Sequence, residues 1–178
     1  MTIVKIVNVV ATASVCQDLD FEELEKHKEI FHDSEVYGGR VAYFKTGNMQ
    51  GKVSLFPSGK MISIGTKSEK QAYHELELAS KFLVEKGYAK HTGLDYKTQN
   101  LVLTVDFERS LNLRQFSETA RAIYEPERFP GAIIRLDHPY KTSVLAFASG
   151  KTVVMGLKSH NQIEPTIKKL RQLVEANH

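Results

Sequence analysis

The chain has 178 residues, 42% apolar and 25% charged, enough for one compact domain or two small halves packed together. Cys16 is the lone cysteine and the seven histidines show no zinc-protease or zinc-finger spacing. This excludes a disulfide framework and a cysteine metal knuckle, and no cofactor or metal is expected. The net charge of +3 permits an acidic partner without requiring one.

In chain order, KIVNVVATA (5–13) alternates as a strand, with Asn8, Val10 and Thr12 on one face. An export signal is not expected here. Lys5 and Asn8 interrupt the apolar run, and Val15 precedes Cys16 where a lipoprotein cleavage site wants a small residue. A lone cysteine fits a reducing, intracellular compartment. No run approaches the roughly 18 apolar residues of a membrane helix, so no membrane partner is expected.

Asp20 with Glu23 has capping-box spacing, and Leu24, Lys28 and Phe31 follow at helical spacing, with Lys28 the polar exception. RVAYFK, GKVSLF and MISIG read as strands, the last two joined by a turn at Ser58-Gly59. A helix then buries Ala72, Leu76, Ala79 and Leu83.

The same order is then written again. KTQNLVLTV (97–105) matches the first strand at an offset of 92, which pairs Asn8 with Asn100, Val10 with Val102 and Thr12 with Thr104. Asn112 with Gln115 caps a helix carrying Phe116, Ala120 and Ile123. AIIRL, SVLAF and TVVMG are the second set of strands, turning at Ser149-Gly150. FPSGKMISIGTKS (56–68) and FASGKTVVMGLKS (147–159) match at an offset of 91. The last helix presents Ile163, Ile167, Leu170 and Val174, and Pro165 early in it predicts a late start or a bend there. Two repeats follow, 1–92 and 93–178, with no Pro/Gly/Ser linker. Each half is too small to own a large core. One continuous antiparallel sheet with four helices on one face is therefore expected.

The uncovered face would carry Asn8, Val10, Thr12, Lys60, Ile62 and Ile64, and their twins Asn100, Val102, Thr104, Lys151, Val153 and Met155. Monomeric soluble proteins rarely expose so broad an apolar surface. The DNA minor groove at A·T pairs offers only acceptors between apolar sugar walls, which suits Asn donors among Val and Ile, with Lys at the phosphates. A dimer interface or a half-buried sandwich face fits the same pattern.

YEPERFPGAIIR (124–135) followed by FASGKTVVMGLKS, with IVNVV and TQNLV, resembles the TATA-binding protein family over essentially the whole chain, in its archaeal form. The resemblance implies an α+β fold: a pseudo-twofold saddle, its curved ten-stranded antiparallel sheet backed by four helices on the convex face. It implies a general transcription initiation factor, not an enzyme, that binds and bends AT-rich double-stranded DNA and recruits transcription factor B and, indirectly, RNA polymerase. By that resemblance Asn8 and Asn100 donate to bases. Val10, Thr12, Ile62, Val102, Thr104 and Val153 line the floor. Phe129 and Phe147 are the second-half wedge, Phe56 and Tyr37 its first-half counterpart. Lys60, Arg135 and Lys151 meet phosphates, and Glu125, Glu127 and Arg128 dock transcription factor B. Pairing of free molecules through the exposed concave face is left open by the sequence.

Two departures stand out. FHDSEVYGGRVAYFK (31–45) lacks the FPG of a first stirrup, which fits a divergent paralogue and puts the first-half kink in doubt. Ile64 and Met155 stand where the family carries Thr, so preference for a standard TATA element should be weaker or altered. A divergent regulator acting mainly through protein contacts is the alternative reading, and a stand-alone relative of the saddle modules attached to nucleic-acid enzymes is a third.

Overall fold

The computed structural model describes residues 2–91 and 93–176. They form two compact units: Asn8–Gln99, and the chain from Asn100 onward with the residues up to Val7.

In the Asn8–Gln99 unit, the part of β1 (Ile3–Ser14) from Asn8 onward, β2 (Ile30–His32), β3 (Ala42–Phe44), β4 (Lys52–Leu55) and β5 (Lys60–Thr66) run in the order β2-β3-β4-β5-β1. Every pairing is antiparallel. Alternation decides the faces. Val9, Ala11, Ala13, Val53, Leu55 and Met61 are buried and lie towards α2 (Glu69–Glu85), which packs on β4 and β5 through Ala72, Leu76, Ala79 and Leu83. Ser68 caps α2 by accepting from the Gln71 amide. Glu75 is buried in the same helix. Its Oε1 accepts from the backbone amides of Gln50 and Gly51 at 2.8 and 3.0 Å, tying α2 to the turn before β4.

The unit from Asn100 repeats the plan. β6 (Lys97–Asp106), β7 (Ala132–Leu136), β8 (Thr142–Ala146) and β9 (Lys151–Leu157) run in the order β6-β9-β8-β7. α3 (Leu113–Ala120) packs against α4 (Ile163–Glu175) and β7. Pro165 lies in the first turn of α4, where its missing N–H costs no helical hydrogen bond, so α4 is not broken. The fold is α+β, with four α-helices among the described residues, as expected.

Two expectations need correcting. The described strands number nine, not ten. The missing one shrinks to a single bridge between Ile123 and Ile133, because Arg121 turns left-handed at the end of α3 and Pro126 offers no N–H for further pairing. The first helix, α1 (Phe21–Leu24), is also far shorter than its periodicity suggests. Lys28 lies beyond it and Phe31 belongs to β2, while Ile123 lies beyond α3. Turn hydrogen bonds from His27 to Leu24 and from Ile30 to His27 divert the chain into β2. Lys28 was the mark of that break.

Candidate nucleic-acid interface

Directly opposed residues of antiparallel strands share a face, so the ladder registers trace the uncovered surface of each unit. In the Asn8–Gln99 unit one row crosses all five strands: Thr12, Ile62, Ser54, Tyr43, Phe31. Its twin in the other unit is Thr104, Val153, Leu145, Ile133, Ile123. Beside the first row lie Val10, Ile64 and Lys52; the corresponding row holds Met155, Ser143 and Arg135. Val102 is half-buried at the irregular step of the β6–β9 ladder.

That irregular step occurs twice and places the two asparagines. The β1–β5 register shifts between Val9 and Val10, and the β6–β9 register between Leu101 and Leu103. The bulged residues are Gly65 (φ +99°) and Gly156 (φ +105°), a backbone that side chains rarely adopt. Each freed N–H turns to an asparagine: Gly65 donates to Asn8 Oδ1 at 2.9 Å and Gly156 to Asn100 Oδ1 at 2.7 Å. A backbone N–H can only donate, so it fixes which amide atom is oxygen. Both Nδ2 groups are left without a partner among the described residues. The asparagines thus do both jobs open to them. Each satisfies a strand irregularity, and each keeps two donors for an outside ligand.

At the hairpin end of each unit lies an open recess. One, of about 570 Å³, is lined by Ile3, Lys5, Thr104, Phe147, Lys151 and Val153. The other, of about 520 Å³, is lined by Thr12, Phe56, Lys60, Ile62 and Gln99. Sequence reasoning missed Ile3, Lys5 and Gln99. Gln99 donates to the Thr12 hydroxyl at 2.9 Å, which only the tertiary pairing brings within reach.

Phe129 and Phe147 meet edge to face, ring centres 5.8 Å apart. A Cβ on Gly131 would lie 2.8 Å from the Phe129 ring and 3.2 Å from the Phe147 ring, so glycine is what lets the pair close. The loop before them is set by the Glu125 carbonyl, which accepts from the amides of Arg128 and Phe129, while Arg128 pairs with the Glu125 carboxylate at 3.1 Å. Glu125, Glu127 and Arg128 are exposed, as are Lys60, Arg135 and Lys151.

The first half differs. Ala42 faces Leu55 as Ala132 faces Ala146, so here the repeat offset is 90. The position of Phe129 then falls on Gly39, not on an aromatic residue. Tyr37 stands two residues earlier, in a 3-10 turn (Val36–Gly39), left-handed (φ 52°) and 71% exposed. Phe56 has no ring partner among the described residues. The same register makes Lys45 the twin of Arg135, another residue hidden by the changing offset.

A family model described as transcription factor TFIID, or TATA-binding protein, matches residues 3–85 and again 95–176. The chain belongs to the TATA-binding protein family. It is 38% identical to the TATA-box-binding protein of Cenarchaeum symbiosum over 89% of this chain and 87% of that one. With that of Methanocaldococcus jannaschii it shares 33% identity over 97% and 93%. The solved Methanococcus jannaschii TBP superposes with a TM-score of 0.85 at 31% identity, covering 97% of this chain and 98% of the other. Each matched segment holds one of the two N-x-V-x-T strands.

Proposed function

We propose that this family member is a general transcription initiation factor that binds and bends AT-rich, TATA-type promoter DNA from the minor groove. The observation that carries the reading is the Asn8/Asn100 pair, each with its oxygen held by a bulge glycine and its NH2 group unpaired. A·T pairs show only acceptors in the minor groove, whereas G·C adds a donor that would face these NH2 groups. Val10, Ile62, Val102 and Val153 pack on sugars, and Lys60, Arg135 and Lys151 reach phosphates. The family is an established case of minor-groove binding with inserted apolar wedges, where unstacking costs about a few kcal/mol per step and wrapped surface offsets it. Phe129 and Phe147 supply that wedge here. TA steps, which deform cheaply, are favoured. Glu125, Glu127 and Arg128 form the docking surface for transcription factor B and, through it, RNA polymerase. The free protein pairs through the same floors. Nothing in the comparisons favours the regulator acting mainly through proteins.

Energy transfer between dyes on a TATA duplex, with and without transcription factor B and across salt, tests this. Bending with a steep salt slope is expected, and Phe129→Ala with Phe147→Ala should abolish the bend. Unchanged bending in that variant overturns the wedge assignment. Absence of duplex binding overturns the function.

A further inference from the structure

The outer part of the first-half row is unlike its twin. Where the second half has Ile123, Ile133 and Ser143, the first has Phe31, Tyr43 and Lys52 at the same ladder positions. The Phe31 and Tyr43 rings stack with centres 6.5 Å apart and planes 26° from parallel. Lys52 Nζ lies 3.8 Å from the Tyr43 ring centre. Lys28 and Lys45 complete a shallow recess of about 330 Å³ around these rings. All three lysines are exposed, none has an ion-pair partner among the described residues, and Glu29 is the one acid on the lining. Phe31 is 64% exposed, an aromatic held in water by its strand register.

We infer that this aromatic and lysine shelf is a second DNA-contact surface, by which the first half holds the duplex in place of the wedge it lacks. The inference rests on the minor-groove reading above. Two features name DNA as the occupant. The shelf continues the row that begins with Thr12 and Ile62, so a duplex lying on the floor runs onto it within the same unit. Its chemistry also suits a sugar–phosphate edge: flat rings take deoxyribose, and three cations surround them for phosphates. Gly39 at the wedge position leaves no ring to open a base step there. The first half therefore clamps while the second half kinks.

The test uses the full-length protein and an AT-rich duplex of about three helical turns. Each lost phosphate contact should flatten the log–log salt slope by about 0.9. Lys28→Gln/Lys45→Gln/Lys52→Gln should lower the slope by about two to three units and leave the bend from the second half in place. Lys81→Gln/Lys86→Gln/Lys90→Gln, of equal charge change on and after α2, should move it by much less. An unchanged slope in the shelf variant, with the wild type still binding, overturns the shelf and spares the function. No duplex binding by the wild type overturns both. An effect only on capture of an acidic protein also overturns the DNA shelf. As a check free of the lysine variants, an iron chelate on Phe31→Cys in a Cys16→Ser background should cleave the bound duplex. A duplex left intact by that chelate counts equally against it.

Discussion

The Gly65 amide fixes the orientation of the Asn8 side chain, and the proposed DNA reading turns on the NH2 group that this leaves outward. Asn8→Asp keeps the oxygen that the Gly65 amide needs and removes the outward NH2 group. Thermal stability should therefore hold within a few degrees. Affinity for AT-rich duplex should fall about tenfold or more, in line with about 1–3 kcal/mol per good base contact. Melting curves and titration of the same sample separate the two effects. Ile64 and Met155 make the converse case. Ile64→Thr with Met155→Thr restores two hydroxyls beside the asparagines and should tighten binding to a standard TATA element by about fivefold for each hydroxyl, the worth of one net hydrogen bond. Binding left unchanged would mean those positions do not meet bases.

His32 is a second informative residue. Its ring faces Glu25 Oε2 at 3.0 Å through one nitrogen and the Gly39 carbonyl at 3.0 Å through the other, with the Phe21 ring edge-on. Two acceptors need two N–H groups, which only the charged ring supplies. The Glu25 carboxylate first, and the Gly39 carbonyl second, raise its pKa. The stability this adds is complete below the unfolded value of about 6.5 and is lost as pH rises through the higher folded value. Melting temperatures at pH 6 and pH 8 should differ less in His32→Gln than in the wild type.

Among the elements, α2 is anchored by more than its apolar stripe. Glu75 Oε1 takes two backbone N–H groups, and Oε2 is buried without a hydrogen-bond partner among the described residues. Glu75→Ala leaves both amides unsatisfied and should cost about 3 kcal/mol, at the scale of losing charged hydrogen bonds. Urea unfolding measures this directly. The helix packs on β5, the strand that carries both Ile62 and Ile64, so DNA affinity should fall with it. The contrast between α1 and α3 shows what periodicity conceals. Leu24, Lys28 and Phe31 keep helical spacing in the sequence, yet turn hydrogen bonds after Leu24 send Phe31 into a strand. Phe31 is thereby a surface aromatic on a strand and not part of a helix face.

For the molecule as a whole, the floors of the two repeats match and the residues around each floor differ. Phe129 and Phe147 form a ring pair; Phe56 has no ring partner among the described residues, with Gly39 at its partner's place. Bending should therefore be carried mainly by the second half. Phe56→Ala should reduce the energy-transfer change only partly, while the Phe129→Ala/Phe147→Ala variant removes it. Equal losses in the two would show that the halves kink alike, and the asymmetric clamp would fail.

Much of this was legible in the residues. The recurrence of N-x-V-x-T at an offset of 92, and of the Ser-Gly-Lys turns at 91, is linear information and announced two repeats and a paired floor. Strand alternation then named the faces, because side chains alternate at a fixed period of two. The bulges were not legible. Nothing local distinguishes Gly65 or Gly156 from any strand glycine; their N–H groups reach Asn8 and Asn100 only once strands 56 or more residues apart are paired. The shelf was hidden for a related reason. The offset between repeats slides to 90 at β3, so only ladder register could set Tyr43 against Ile133 and Lys45 against Arg135. The sequence determined what the floor is made of; pairing across the sheet decided which atom of each asparagine looks outward and which residues extend that floor.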